Sequence, residues 1–237
     1  MRIDKKMKAS KNFEKQGKTA KASEKHHEQK KSSKNKKTSV VYDDGEYTGQ
    51  LSEKTKKREG IGTFLYTTIA KWGYKYTGDW SNDKKNGKGV LYYQGKIPIY
   101  KGDWIDDKKD GFGVEYDYHQ NQRYVGFWKD DQWSGHGSYL WSNGKCSYEG
   151  NWFDGYRKGL GTSYFNIGPR EYNGDWNNGS KYGQGVSYHL NGQKWYVGDW
   201  KKNLHDGFGV KFEKDGSIKD VGYWKGGAKQ KCLVFYY

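Results

Sequence analysis

The chain is short of the usual materials of a globular core. Only 35 of its 237 residues are Leu, Ile, Val or Phe, and it has two Cys, two Pro and two Met. Two cysteines, Cys146 and Cys232, cannot build a disulfide framework, so a reducing, intracellular setting is expected. No apolar run approaches the ~20 residues of a membrane-spanning helix. The first residues lack the apolar segment of a secretory leader, and Arg2 excludes N-myristoylation at that position. Few aliphatics and a net charge of +15 would, taken alone, describe a disordered chain.

Aromatics reverse that reading. The chain carries 22 Tyr and 11 Trp, whose rings bury large areas, and 34 Gly, which leave room for them. The positive charge is concentrated at one end. Residues 1–39 hold 14 Lys or Arg against 4 Asp or Glu, while the other 198 hold 29 against 24. Residues 1–39 read as a disordered, Lys-rich tail with nothing to pack. Its cluster Lys30, Lys31, Lys34, Lys36 and Lys37 is the candidate contact for an anionic surface: lipid, RNA, an acidic protein or the nuclear-import machinery.

From residue 40 onward one unit repeats. Tyr-x-Gly-x-Trp occurs as Tyr76/Gly78/Trp80, Tyr100/Gly102/Trp104, Tyr124/Gly126/Trp128, Tyr148/Gly150/Trp152, Tyr172/Gly174/Trp176 and Tyr196/Gly198/Trp200, at an unbroken spacing of 24 residues. Eleven and thirteen residues after each Tyr stands a Gly pair, as in Gly111/Gly113, and three residues later a large apolar side chain such as Tyr116. An imperfect first unit starts at Tyr47, with Leu51 in place of Trp. A last unit starts near Asp220, keeps Gly222 and Trp224, and has Lys231 and Leu233 where the Gly pair should be.

Alternation of Tyr, Gly and Trp describes one face of a strand, and the charged stretches between are turns. One β-hairpin per unit follows. A lone hairpin cannot bury its rings, so the hairpins must stack. The expected fold is all-β: an elongated, twisted, single antiparallel sheet of about sixteen strands spanning residues 40–237, on the order of 75 Å long. Repeats are expected to start near 47, 76, 100, 124, 148, 172, 196 and 220, and Cys232 to Tyr237 to form a closing strand. Each ring is expected to cover the Gly gap of a neighbouring hairpin. The Gly pair is expected on the opposite face or at the turn entrance, with Asp79, Asp103, Asp175 and Asp199 facing solvent or pairing with turn lysines.

These motifs resemble the MORN repeat family (membrane occupation and recognition nexus). The resemblance covers about residues 40–237 and implies the same elongated sheet. It also implies a scaffold that binds partners, any catalysis belonging to separate attached domains.

No catalytic or metal-ligating constellation is legible, and no cofactor is expected. His119, His136, His189 and His205 fall in different contexts and read as surface residues. The Gly pairs lack the strand-to-helix setting of a phosphate loop. The repeated Tyr, Gly and Trp read as structure. The aromatics outside the repeated slots, Phe127, Trp133, Trp141, Phe153, Phe165 and Trp195, are the candidate contacts for a partner. The primary expectation is therefore a non-enzymatic scaffold or adaptor, cytoplasmic or cytoskeletal, that holds a protein along its groove in a cytoskeletal or ciliary assembly. The alternative is a peripheral protein held on anionic phospholipid by the tail and by the turn lysines Lys84, Lys85, Lys108, Lys109, Lys201 and Lys202. Nucleic acid is disfavoured because the repeat region is nearly charge-balanced. Self-association through the sheet ends is a further expectation.

Overall fold

The structure is a computed structural model, and it describes residues 37–68 and 73–231. The tail, the lysines Lys30, Lys31, Lys34 and Lys36, and the closing strand expected at the C-terminus lie outside the described residues.

The described residues contain no helix and form one open antiparallel sheet of seventeen strands. In chain order these are β1 (Thr38–Tyr42), β2 (Gly45–Leu51), β3 (Arg58–Tyr66), β4 (Lys75–Ser81), β5 (Lys84–Tyr93) and β6 (Ile97–Ile105). They continue with β7 (Lys108–Tyr116), β8 (Gln122–Lys129), β9 (Gln132–Leu140), β10 (Cys146–Phe153), β11 (Tyr156–Tyr164) and β12 (Arg170–Asn177). The last are β13 (Ser180–Tyr188), β14 (Lys194–Lys201), β15 (Leu204–Phe212), β16 (Ile218–Lys225) and β17 (Ala228–Lys229). Each strand pairs with the next in sequence, from β1–β2 to β16–β17. The sheet begins at Thr38 with a strand that precedes the first repeat unit.

Within the regular units the strands are joined by two-residue turns: Ser81 pairs with Lys84 and Ile105 with Lys108, whereas in the first unit Leu51 pairs with Arg58 across a longer loop. Both central residues are left-handed, as in Asn82 (φ 52°) and Asp83 (φ 70°), or Asp106 (φ 48°) and Asp107 (φ 72°). That is the hairpin turn whose twist matches the strands, and Asn, Asp and Gly are the residues that tolerate it. Each turn is also fastened to the previous hairpin. Asp107 donates its N–H to the Lys85 carbonyl at 3.0 Å, and its carboxylate accepts the Lys85 N–H at 2.9 Å. Asp131 does the same with Lys109.

All the Tyr and Trp of the motif lie on one face, here called the ring face. Tyr47, Tyr76, Tyr100, Tyr124, Tyr148, Tyr172 and Tyr196 are at most 1% exposed, although among the described residues no second layer covers them. The rings enclose one another. Tyr100 meets Trp104 edge-on at 5.1 Å and Trp128 of the next unit at 5.2 Å. Such pairs contribute about 0.5–1.5 kcal/mol each beyond area burial. Most of the buried polar tips are satisfied; among the described residues Trp224 Nε1 and His205 Nε2 are exceptions on this face. Tyr100 Oη donates to the Asp103 carbonyl at 3.0 Å. Trp128, Trp152 and Trp200 donate their Nε1 hydrogens to the carbonyls of Gly113, Gly137 and Gly185 at 3.3, 3.0 and 3.3 Å.

The structure corrects the expected regularity of the motif. Gly102 pairs with Gly113, but two residues on Trp104 pairs with Lys109, so the second strand bulges. The ladder is thus interrupted inside Tyr-x-Gly-x-Trp itself. The same shift falls between Gly78 and Trp80, Gly126 and Trp128, Gly150 and Trp152, and Gly198 and Trp200. In the remaining unit it falls between Gly174 and Asp175. The first strand keeps its alternation, so Trp152 and Trp200 stay buried beside their Tyr, and the partner strand absorbs the extra residues.

The role of glycine is corrected with it. Gly78, Gly126, Gly150 and Gly198 each lie beneath the hydroxyl of their own unit's Tyr, with the partner strand's Gly beside them. The bulge separates the second-strand pair. Gly111 (φ 106°) sits in the bulge against Asp103 on the opposite face. Gly113 lies on the ring face under Tyr100 of its own hairpin, not of a neighbour, and a methyl group there would overlap the ring. The aspartates are corrected in turn. Asp103 Oδ2 accepts the Phe112 N–H at 2.9 Å, a donor that the bulge takes out of the ladder. Asp79, Asp175 and Asp199 do the same for Lys88, Gln184 and Phe208 at 2.8–3.0 Å. These carboxylates are structural anchors as well as surface groups.

Candidate functional site

The ring face is closed by a column of side chains nine residues after each Tyr. These side chains stand across from Trp and lie between one Tyr and the Trp of the next unit. Lys109 Nζ is 5.0 Å from the Tyr100 ring centre and 4.4 Å from that of Trp128. Lys85, Arg157 and Lys181 occupy the same place in their units, and Arg58 does so over Trp80 at 4.4 Å. The cations thus cap the rings through cation–π contact with their stems packed down. Burial lowers the Lys109 and Arg157 pKa values.

Two units replace the cation with a ring. Trp133 stacks on Tyr124 at 4.8 Å and 11°, and its Nε1 donates to Glu115 at 3.2 Å. His205 stacks on Tyr196 at 3.7 Å and 17°. It is 6% exposed, which overturns its reading as a surface residue; nothing in the motif marks it as filling a capping slot. Burial, with Lys211 and Lys181 nearby, pushes its pKa down to about 4. The ring-face tyrosines move the other way, Tyr47 and Tyr196 up to about 12, because burial disfavours the phenolate.

The six aromatics singled out from the sequence separate into three groups. Trp133 and Trp195 pack against the ring-face core. Trp141 is exposed and Phe165 half-buried, and their N–H groups close the loops that link one unit to the next, donating to the carbonyls of Lys145 and Pro169. Phe127 and Phe153 lie exposed on the opposite, open face. Among the tail lysines, Lys37 alone is described, and it is exposed just before β1. Of the turn lysines, Lys84 and Lys108 pair with Asp106 and Asp130 at 3.5 and 2.8 Å, and Lys201 and Lys202 are exposed, but Lys85 and Lys109 lie against the ring face as caps instead of forming a charged outer surface.

Phe127 belongs to a cluster that the sequence reading missed. Its ring meets Phe112 edge-on at 5.6 Å, directly across β7 and β8, beside the pair Val114 and Val125. The same arrangement recurs across β15 and β16. Phe208 meets Tyr223 at 5.4 Å, beside Val210 and Val221. Phe112, Phe127, Phe208 and Tyr223 are 41, 50, 49 and 65% exposed. A signal was available: Phe-Gly-Val followed by Val-Gly-Phe/Tyr occurs twice, 96 residues apart. Elsewhere the open face mixes polar side chains such as Asp79 and Asn151 with the exposed Ile61, Leu160 and the cross-strand pair Phe153 and Tyr156. Next to the first cluster Lys88 pairs with Asp103, and an open depression of about 480 Å³ is lined by Thr77, Val90, Lys101, Phe112, Val114 and Tyr116.

The described residues contain no group of three or more His, Cys, Asp or Glu that could hold a metal. Burial raises the Cys146 thiol to about 11, which keeps it protonated. No helix among the described residues is long and apolar enough to cross a membrane.

A sheet built only of tandem hairpins, closed on one face by its own rings, defines a repeat protein of the stacked-hairpin class. The chain belongs to the MORN repeat family, whose model matches residues 76–95, 100–118, 124–146, 148–170 and 196–217. The interval from 172 to 195 keeps the same pairing, Gly174 with Gly185 and Trp176 with Lys181. No curated protein matches the chain in sequence.

Proposed function

We propose that the chain is a binding scaffold that holds a protein partner on its open face. The observation that supports this is the pair of exposed aromatic clusters, each in direct cross-strand register on that face. Exposed, contiguous rings are the usual anchors of a protein interface. The ring face offers less, since its aromatics are spent on one another and capped. A cytoplasmic or cytoskeletal assembly is the setting proposed for such a scaffold.

Capture experiments with the full chain, the chain lacking residues 1–36 and a Phe127→Asp variant test this. Retention by the tail-deleted chain and loss by the variant are expected. Binding to anionic vesicles that disappears with the tail and in ~0.5 M salt, with no effect of Phe127→Asp, would replace this reading with a lipid-surface role.

A further inference from the structure

We infer that the occupant of the open face is a second copy of this chain, packed face to face about a two-fold axis parallel to the strands. This rests on the reading of the open face as a binding surface and names what covers it.

The two clusters are copies of each other. Phe112 pairs with Phe127 and Phe208 with Tyr223, each in direct cross-strand register with a valine pair alongside. Eight strands separate them, about 38 Å at the usual strand spacing. An occupant that covers both must carry two apolar sites at that same distance. A second copy has them by construction, because a two-fold interface uses the same patch on both subunits.

The strand-parallel axis lets β7 and β8 of one copy face β15 and β16 of the other. It keeps each row of side chains at its own height, so rings meet rings and valines meet valines. The axis passes between β11 and β12. There Leu160, on β11, stands at the height of Asp175 of the second copy, on β12, with Lys158 two residues along β11. The alternative axis, along the length of the sheet, would set Lys101 against Lys101 and Glu149 against Glu149. The first arrangement avoids these like-charge pairs. Both sheets keep the same hand of twist under a two-fold, as in ordinary sheet-on-sheet packing.

The area is sufficient. An aromatic side chain offers roughly 150–250 Å², so four rings near half exposure leave about 400 Å² per copy. With the valines and the intervening strands, about 1,200 Å² in total is covered, the lower end of stable interfaces.

The test uses variants that restore the repeat's own pattern. Phe127 and Tyr223 stand where Asp79, Asp103, Asp175 and Asp199 stand in other units. Phe127→Asp and Tyr223→Asp therefore place a residue that this position already accommodates, and unchanged thermal melting of each isolated variant will confirm the fold. Sedimentation equilibrium of the full chain from about 1 to 100 µM should show a dimer, weakened at least ~10-fold in each variant. An equimolar mixture of the two variants should associate more tightly than either alone, since one undamaged cluster pair forms only in the heterodimer. A wild-type monomer at ~100 µM overturns the inference, as does a dimer indifferent to both variants. A mixture no tighter than its components overturns the proposed axis. If the chain is monomeric and yet Phe127→Asp abolishes capture of another protein, the second copy is refuted while the open-face reading stands. If neither association nor capture responds, both fall.

Discussion

The two faces of this sheet are made by the same strands and obey different rules. On the ring face the six regular units present the same Tyr and Trp, and each ring is buried by its neighbours. On the open face the corresponding positions vary from Asp103 to Phe127 to Asn151, and exposure varies with them. Repetition is enforced where a side chain must fit a copy of itself in the next unit. It is relaxed where the neighbour is solvent or a partner. The contrast explains how a chain poor in aliphatics keeps a core with no second layer among the described residues.

The largest expected effect lies on the ring face. Tyr100→Ala empties space enclosed by Trp104, Trp128 and Lys109, and should cost about 3–5 kcal/mol of stability. Phe127→Ala on the open face should stay within about 0.5 kcal/mol. Urea unfolding of both would collapse the contrast between the faces if the two shifts were equal.

Gly113→Ala comes next, at about 1–3 kcal/mol, because its methyl would overlap the Tyr100 ring. The same substitution at Gly144, in a loop with nothing near it but at φ 77°, should cost only about 1 kcal/mol of backbone strain. Equal urea midpoints would show that conformation, not the ring, governs both sites.

Asp103→Ala should cost about 1 kcal/mol by freeing the Phe112 N–H, and hydrogen exchange at that amide should accelerate. Unchanged exchange would remove the anchor assigned to this carboxylate.

The smallest effect is pH dependence at His205. Its folded pKa, about 4, lies below the ordinary histidine value of 6.5, so the unfolded chain binds the proton more readily. The contribution of neutral His205 is therefore complete above about pH 6.5 and is lost as pH falls toward 4. Melting temperature should decline across that window in the wild type and less so in His205→Lys, which carries the cation of sibling units. Parallel declines would assign the pH response to other groups.

Much of the core was legible without coordinates. Tyr100, Trp104 and Trp128 follow from their spacing, because a side chain repeated every 24 residues in a strand pattern returns to the same face of the same sheet. Trp133 and His205 were hidden for a different reason. Their role depends on the slot, nine residues after Tyr, where a lysine and an indole can each cap a ring. Gly113 was misread, and the anchoring role of Asp103 missed, because the bulge breaks the two-residue alternation between the strands.

Local spacing and repetition are enough to specify the strand order, the turn positions and the identity of the buried rings. Only the folded sheet decides which glycine lies beneath a ring and which aromatics remain in solvent. Those outcomes depend on where the bulge resets the alternation and on what the neighbouring hairpin places alongside.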